Sequence, residues 1–121
     1  MRIHESGENY LETILQLKKR NEMVRSIDIA RELSFSKPSV SRAIAIFKEE
    51  GLVNVEENGN ITLTEKGYIR AQAVLERHIT ITDYLQKILG VSPENAEKDA
   101  CRIEHVISEE TFSKIKKQLG E

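Results

Sequence analysis

The sequence predicts a mostly α-helical protein, a winged helix-turn-helix with a small two-stranded β-wing followed by a longer helical segment. Two observations carry this prediction. Segments with helical apolar spacing are followed by two short alternating segments, and Asn58-Gly59 between these two strongly favours a β-hairpin turn. From Thr64 onward the apolar residues return to helical spacing and keep it to the end of the chain.

The first two helices are predicted from apolar side chains that recur three and four residues apart. The basic run at 18–20 suits the C-terminal end of the first helix, where cations favour the helix dipole. A second helix is expected from about Ser26 to Leu33, with Ser26 as its N-cap. The predicted buried sides are Tyr10, Leu11, Ile14, Leu15 and Leu17 in the first helix, and Ile27, Ile29, Ala30 and Leu33 in the second.

A tight turn at 34–36 leads into the third helix, which completes a helix-turn-helix. Ser36 is its predicted cap, and Pro38 falls in the first turn, where a missing N–H costs little. Gly51 is placed to end the helix. The inward stripe of this helix is predicted to be Val40, Ile44 and Phe47.

The N-terminal end of the third helix is the candidate for reading DNA. In a helix-turn-helix, this end of the second helix of the motif enters the major groove. Arginine can bridge guanine edges, and serine hydroxyls can reach phosphates or bases. The alternative is that these residues form only a solvated surface. It is disfavoured because a predicted β-hairpin follows the helix, as the wing of such a motif does. The candidate DNA-binding residues are Ser36, Lys37, Pro38, Ser39 and Arg42.

The wing strands are predicted at 52–55 and 61–63, and a long helix then runs to about Leu89, where Gly90 ends it. The β-branched run 79–82 lowers the helix propensity there, but the flanking apolar residues keep the helical pattern. Its predicted buried side is Ile69, Ala73, Val74, Tyr84, Leu85, Ile88 and Leu89. Ser92-Pro93 opens a further helix to about Ile107, and Ser108 caps a last one with Phe112, Ile115 and Leu119 inward.

Composition and organisation limit the class of protein. The 121 residues carry a formal charge of −2, so a DNA-binding protein of this sequence needs a local basic surface. A single cysteine excludes an internal disulfide, and the absence of a long apolar run or signal-peptide core predicts a cytoplasmic protein. We place the domain boundary at the wing-to-helix junction, between residues 1–63 and residues 64–121.

Cys101, Glu104 and His105 are candidate metal ligands. They lie at i, i+3 and i+4, so on a continuous helix their thiol, carboxyl and imidazole groups converge on one face. One soft ligand and two harder ones suit a first-row divalent ion. Three are too few for an octahedral site, so another segment must contribute. The options are Asn9, Glu12 and His78.

Less specific interpretations stand beside this one. A lone helical cysteine is more often a small apolar core residue than a ligand, and Glu104-His105 alone is typical of a surface pair. An enzyme with Cys101 as nucleophile and His105 as base is disfavoured, because no glycine-rich oxyanion turn is visible and the winged motif would have no role. The remaining alternative is a metal-independent winged-helix regulator in which Cys101, Glu104 and His105 only pack.

Several motifs together point to a known family. The most specific is ACRIEHVIS at 100–108, and the others are ENYLETI at 8–14, SKPSVS at 36–41, GLV at 51–53, LTEKG at 63–67 and RH at 77–78. Over nearly its whole length the chain resembles the diphtheria-toxin-repressor and manganese-transport-regulator family of metal-dependent repressors. Longer relatives carry a C-terminal SH3-like domain, and the sequence resembles the short, two-domain subclass.

The resemblance implies a helical dimerisation domain, a divalent metal corepressor and a homodimer. Each protomer would read half of a near-palindromic operator in double-stranded DNA, and the regulated genes would serve metal uptake. The family's recognition positions fall on Ser36, Pro38, Ser39 and Arg42. Neither a membrane nor a small organic ligand is expected as a partner. The family's ligand positions fall on Asn9, Glu12, His78, Cys101, Glu104 and His105.

The departures from the family pattern bear on the choice of metal. Glu12 resembles the manganese-responsive branch and Cys101 the iron-responsive branch, whereas Asn9 matches neither the methionine nor the aspartate usual there. Thr82 stands where a second-site carboxylate is common, so Glu97 or Asp83 would have to replace it. The ligand set favours Fe²⁺, with Mn²⁺ next.

Overall fold

A computed structural model of the chain describes residues 5–120, with side chains from residue 7 onward. Over these residues it contains six helices and one two-stranded antiparallel sheet, which confirms the predicted fold class. The elements are α1 (Glu5–Arg20), α2 (Ser26–Leu33), α3 (Lys37–Glu49), β1 (Val53–Val55), β2 (Ile61–Leu63), α4 (Glu65–Lys87), α5 (Pro93–Ile103) and α6 (Glu109–Gln118).

The chain forms two compact units, one up to Gln72 and one from Ala73 onward. The first unit contains α1 to α3, the β-hairpin and the beginning of α4. The second contains the rest of α4 with α5 and α6. The change from one unit to the next therefore falls inside a continuous helix.

The helix-turn-helix forms at its predicted place for local reasons. Ser34 ends α2 in the left-handed conformation at φ 59°, and the Phe35 amide donates to the Ala30 carbonyl at 3.0 Å. Ser36 caps α3, since its hydroxyl accepts from the Ser39 amide at 3.3 Å. The rings of Phe35 and Phe47 both lie within 6 Å of the ring of Tyr10, at 5.7 and 5.6 Å between centroids.

Two details of α2 differ from the prediction. Arg25, not Ser26, occupies the N-cap, because the Asp28 carboxylate accepts the Arg25 amide at 2.8 Å and closes the first turn one residue earlier. Ile27 was expected on the buried side but is 37% exposed. The remaining buried residues of the first unit include Leu11, Ile14, Ile29, Val40, Leu52 and Ile61.

The wing is a short hairpin fastened at its base by Asn60. β1 pairs with β2 in the register Val53 to Leu63, and Gly59 turns the chain at φ +87°. The Asn60 Oδ1 atom accepts from the Val24 amide at 2.9 Å and from the Lys18 ammonium at 2.7 Å. The Ile61 amide donates to the Val24 carbonyl at 2.7 Å. These bonds join the hairpin to the end of α1 and the segment that follows it.

The first turn of α4 is tied closely to the residues that precede β1. The Thr64 hydroxyl donates to the Gly51 carbonyl at 2.6 Å, and the Thr64 amide donates to the Leu52 carbonyl at 3.0 Å. At Gly67 the helix backbone comes so near that a Cβ atom would lie 2.0 Å from the Leu52 carbonyl oxygen. Glycine is therefore required at this position by close approach.

The second unit has its own apolar core, made of Ile81, Leu85, Ala96, Ala100 and Phe112. The β-branched run 79–82 is helical as predicted, and the Thr82 hydroxyl donates to the His78 carbonyl at 2.7 Å. Along the described part of the chain, no helix combines the length and apolar character needed to cross a membrane.

Two expectations about the helical segment are wrong. Part of the buried side predicted for the long helix is exposed, because the chain's own core covers only one side of the helix; the exposed residues are Ile69 and Ala73 in α4, and Ile88 and Leu89 just after its end. Helix α5 ends at Ile103 and not near Ile107. There the Val106 amide bonds to Ile103 three residues back, and the chain leaves the α-helical pattern.

Candidate metal centre and DNA-reading helix

His78 on α4 lies between two carboxylates of the second unit. Its Nδ1 atom is 3.3 Å from the Oε1 atom of Glu104, and its Nε2 atom is 3.0 Å from the Oε1 atom of Glu97. The His78 side chain is 15% exposed, and the Glu97 side chain is 64% exposed. The imidazole therefore has an acidic partner on each side, one at the surface and one in the interior.

Glu104 is the buried member of this group. It forms the C-cap of α5, and the residue is 1% exposed. Its Oε2 atom is buried and has no hydrogen-bond partner among the residues that the structure describes. Burying a carboxylate away from water is costly unless a cation or hydrogen-bond donors compensate it. One oxygen of Glu104 is thus a buried acceptor without a hydrogen-bond donor among these residues, which fits the chemistry of a metal site.

The electrostatics of the group favour a positive charge. The hydrogen bond that the Glu104 carboxylate accepts from His78 and the charge of that carboxylate raise the pKa of His78 from 6.5 to about 9, with Glu97 adding to the effect and burial opposing it. In the metal-free protein at neutral pH, a proton on His78 supplies the cation that the two carboxylates require. A divalent ion bound by the same groups would replace that proton.

The other residues predicted as ligands in this unit differ in their exposure. The His105 side chain is fully buried, and its Nε2 atom is 3.7 Å from the Oε1 atom of Glu104. Cys101 is exposed on α5 and lines an open depression of about 430 Å³ together with Asn95, Lys98, Asp99 and Arg102.

Asn9 and Glu12 lie one turn apart on α1, in the first unit. Asn9 is half-buried, and Glu12 is 9% exposed. The roles of Asn9, Glu12 and Cys101 as ligands stay predictions, as do those of His78, Glu104 and His105.

The structure also shows contacts that sequence reasoning did not find. Glu97 entered the sequence argument only as a replacement for a missing carboxylate, yet it contacts His78 directly. Asp83, the other proposed replacement, lies 3.8 Å from the Lys87 ammonium. Arg77, noticed only as part of a motif, bonds to the backbone of Glu104. His78 and Glu97 are 19 residues apart in sequence, and Arg77 and Glu104 are 27 residues apart, so no local spacing marks either pair.

The N-terminal end of α3 presents a small polar group at the surface. Lys37, Pro38 and Arg42 are exposed, and Ser39 is half-buried. The Ser36 hydroxyl donates to the Ser39 hydroxyl oxygen at 2.8 Å, and an Arg42 guanidinium nitrogen donates to the same oxygen at 3.3 Å. Arg42 is therefore directed along the start of the helix that a helix-turn-helix presents to the major groove.

Comparison with known proteins accounts for both parts of the chain. Residues 2–61 match the family model described as "Iron dependent repressor, N-terminal DNA binding domain". Residues 64–121 match "Iron dependent repressor, metal binding and dimerisation domain". The chain belongs to the iron-dependent repressor family. The predicted resemblance is thereby confirmed, and the alternative of a metal-independent regulator is not favoured.

Two relatives show how far the similarity to known proteins extends. A protein of Methanocaldococcus jannaschii, named "Uncharacterized HTH-type transcriptional regulator MJ0568", is 34% identical over 93% of this chain and 90% of its own length. The iron-dependent repressor IdeR of Mycobacterium tuberculosis is 33% identical over 96% of this chain and 50% of its own. The chain thus spans about half the length of IdeR.

Solved structures agree with the fold. A manganese-dependent transcriptional repressor in complex with manganese superposes with a TM-score of 0.87 at 27% identity, covering 94% of this chain and 52% of that one. The crystal structure of T. acidophilum IdeR gives a TM-score of 0.83 at 27% identity, covering 94% of this chain and 54% of that one. The family is one of metal-dependent transcriptional repressors.

Proposed function

We propose that this protein is a metal-responsive repressor that binds a near-palindromic operator as a homodimer, with a divalent transition metal as its corepressor. The observation that carries the proposal is the buried Glu104 carboxylate. One of its oxygens is hydrogen-bonded to His78, and the other has no hydrogen-bond partner among the described residues. This carboxylate lies in the region matched by the metal-binding and dimerisation domain of the family.

The proposed ligands combine this group with residues chosen from the sequence. His78 and Glu104 are supported by their proximity and burial, and His105 by its complete burial beside Glu104. The remaining ligands are supported by residue chemistry and spacing in the sequence and by the family resemblance; they are Asn9, Glu12 and Cys101. A set with one thiolate favours Fe²⁺, and a set of oxygen and nitrogen atoms favours Mn²⁺. We place Fe²⁺ first and Mn²⁺ next.

Operator reading is assigned to the exposed start of α3. The proposed DNA-contacting residues are Ser36, Lys37, Pro38, Ser39 and Arg42. Lys37 and Arg42 supply the local positive charge that the formal charge of −2 makes necessary. The Arg42 guanidinium donates to the Ser39 hydroxyl, so both side chains lie together at the start of α3. The partner is DNA, so we place the protein in the cytoplasm and assign it no enzymatic activity.

A homodimer would cover apolar side chains that one chain leaves exposed. In the second unit these include Ile79, Ile88, Leu89 and Val106, with exposed fractions of 46–72%. Large exposed apolar patches are uncommon on monomers and typical of interfaces.

In the proposed mechanism, metal ties α1 to the metal-binding domain through Glu12. It thereby favours the dimer geometry in which both recognition helices meet half-sites about 34 Å apart or a multiple of it. Metal would then raise the affinity of the dimer for the operator by the same factor by which the operator raises the affinity of the dimer for metal. A coupling free energy of about 1–3 kcal/mol is usual for such effects.

The first test is anaerobic selection of operator DNA. The protein is mixed with genomic fragments with and without Fe²⁺ or Mn²⁺, and the retained fragments are sequenced. We expect a palindromic sequence, adjacent to metal-uptake genes, to be retained only with metal. Glu104→Gln should lose this dependence, whereas the exposed Glu94→Gln on the same helix should keep it. Equal retention by the wild type with and without metal would refute the metal switch.

Arg42 separates base reading from simple attraction to phosphate. We expect Arg42→Ala to lower specific binding by about 1–3 kcal/mol and to relax the preference at one operator position. Lys48→Ala, an exposed cation near the other end of α3, serves as the control. A loss that is equal on all sequences, with a smaller salt dependence, would reassign Arg42 as a phosphate contact.

A further inference from the structure

We propose that Arg77 is a positioning residue of the metal centre, holding the backbone from which Glu104 projects. The proposal rests on the function proposed above, because it concerns the same carboxylate. It does not make Arg77 a ligand. Its side chain acts on the turn that follows α5, and through that turn on Glu104.

The contacts of Arg77 converge on this turn. Its Nη1 atom donates to the carbonyl oxygen of Glu104 at 3.2 Å and to that of Ile107 at 3.1 Å. Its Nη2 atom pairs with the carboxylate of Glu109 at the start of α6. The guanidinium carbon lies 5.3 Å from the ring centre of Phe112, which is buried in the core of the second unit. The Arg77 side chain is 19% exposed.

The turn has a particular need for such a partner. Helix α5 ends at Ile103 with Glu104 as its C-cap, and the last carbonyls of a helix have no partner within the helix. Arg77 satisfies the Glu104 carbonyl and closes the turn at Ile107. Backbone hydrogen bonds also hold this turn, but without Arg77 the carbonyls of Glu104 and Ile107 would lose their bonds to the guanidinium, and the turn that carries the Glu104 carboxylate would be held less firmly.

Two consecutive residues of α4, Arg77 and His78, therefore bond to the two ends of Glu104, which is a proposed ligand. Arg77 bonds to the backbone carbonyl of Glu104, and His78 bonds to its side-chain carboxylate. The carboxylate is thus fixed at its backbone attachment before a metal arrives. Partners of this kind behind a ligand typically change metal affinity 10–100-fold when they are removed.

The geometry requires arginine and not merely a positive charge. The planar guanidinium offers several donors in a fixed fork, which can serve two carbonyls, a carboxylate and an aromatic face at once. A lysine ammonium is a compact point charge with a flexible stem and cannot reproduce that arrangement. The charge of Arg77 is also paired with Glu109, so its effect on Glu104 is chiefly geometric.

The test uses Mn²⁺ as the probe and the full chain. Mn²⁺ affinity is measured anaerobically by competition with a chelating dye, well below the melting temperature of each variant, and the electron paramagnetic resonance linewidth of bound Mn²⁺ is recorded. We expect Arg77→Ala to weaken Mn²⁺ binding 10–100-fold and to broaden the signal, and Arg77→Lys to weaken it about 10-fold. Arg70→Ala, which removes an exposed arginine of the same helix α4, should bind as the wild type does.

The outcomes separate this inference from the proposed function. If the wild type does not bind Mn²⁺ stoichiometrically, or Glu104→Gln binds as tightly, the proposed metal centre is refuted and the role of Arg77 with it. If those two behave as expected but the folded Arg77 variants keep the wild-type affinity and linewidth, with only a lower melting temperature, Arg77 is merely structural. Should Arg77→Ala fail to fold, Arg77→Lys decides by the same criteria.

Discussion

Proton release from His78 offers the sharpest test of the proposed centre. In the metal-free protein the neighbouring carboxylates raise the pKa of His78 to about 9, so the imidazole is protonated at pH 7. A metal ligand must be the neutral imidazole. We therefore expect each metal bound near neutral pH to release about one proton from His78, and Mn²⁺ affinity to rise about tenfold per pH unit until it levels off near pH 9.

The magnitude follows from the position of the pKa. Deprotonating a group two pH units below its pKa costs about 2.7 kcal/mol, which corresponds to about a hundredfold weaker metal binding at pH 7 than above pH 9. Glu104 contributes most to the raised pKa of His78, because Glu104 is buried and its hydrogen bond with His78 is the leading cause of the shift. Glu97 is 64% exposed, and water screens its charge. Glu97→Gln should therefore change the pH dependence only slightly.

The stability of the metal-free protein should have the opposite pH dependence. The folded-state pKa of His78 lies above its unfolded value, so the stabilisation is fully present below pH 6.5 and is lost as pH rises through about 9. The difference between the two values corresponds to about 3 kcal/mol. Urea denaturation at pH 6.5, 7.5 and 8.5, with and without Mn²⁺, should show the metal-free stability falling and the gain from metal growing.

Calorimetry provides the proton count directly. Mn²⁺ is titrated at pH 7.5 in two buffers that differ in ionisation enthalpy, and the difference in heat gives the protons released. A second proton is expected if the Cys101 thiol also ligates, because free thiols have a pKa near 8.5 and must ionise to bind. Cys101→Ala would then return the count to one. Tight binding with no proton release, or a pH slope that persists in His78→Gln, would show that His78 is not a ligand.

The remaining predictions concern packing, the wing and the dimer. Gly67→Ala should cost about 2–3 kcal/mol in urea unfolding, because its Cβ would collide with the Leu52 carbonyl, whereas Gly90→Ala at φ +72° should cost only about 1 kcal/mol of backbone strain. Equal costs would contradict this account. Asn60→Ala should lower stability by about 1–3 kcal/mol and speed hydrogen exchange in the wing, since it removes an acceptor for the Val24 amide; unchanged exchange would refute it. Leu89→Lys should weaken the dimer in analytical ultracentrifugation without lowering helicity, and an unchanged dimer would place the interface elsewhere.

Local signals explain why the DNA-reading half was predictable. Ser36 caps α3, Pro38 sits in its first turn, and Asn58-Gly59 makes the hairpin turn, each through backbone chemistry confined to a few neighbouring residues. The same locality explains the error at α2, where Ser26 was predicted as the N-cap and Arg25 occupies that position. The carboxylate of Asp28 decided between them by accepting the Arg25 amide.

Residue chemistry and spacing together indicated the candidate metal centre, but the continuous helix that the spacing assumed was only partly correct. The sequence identified Glu104, His105 and His78 as groups suited to a divalent ion. It predicted α5 to about Ile107, although the helix ends at Ile103 and leaves Glu104 as its C-cap. The end of a helix without glycine or proline depends on what receives its last carbonyls, and here that partner is Arg77 on another helix.

The sequence by itself determined the order of helices and strands, the recognition helix and the residue types available to a metal, because these depend on neighbours within one or two turns. Only the tertiary structure decided that Glu97 and Glu104 share His78, that Arg77 holds the turn after α5, and that Ile88 and Leu89 stay exposed. Helical spacing shows which side chains share a face. Which groups meet that face depends on packing between residues far apart in the chain.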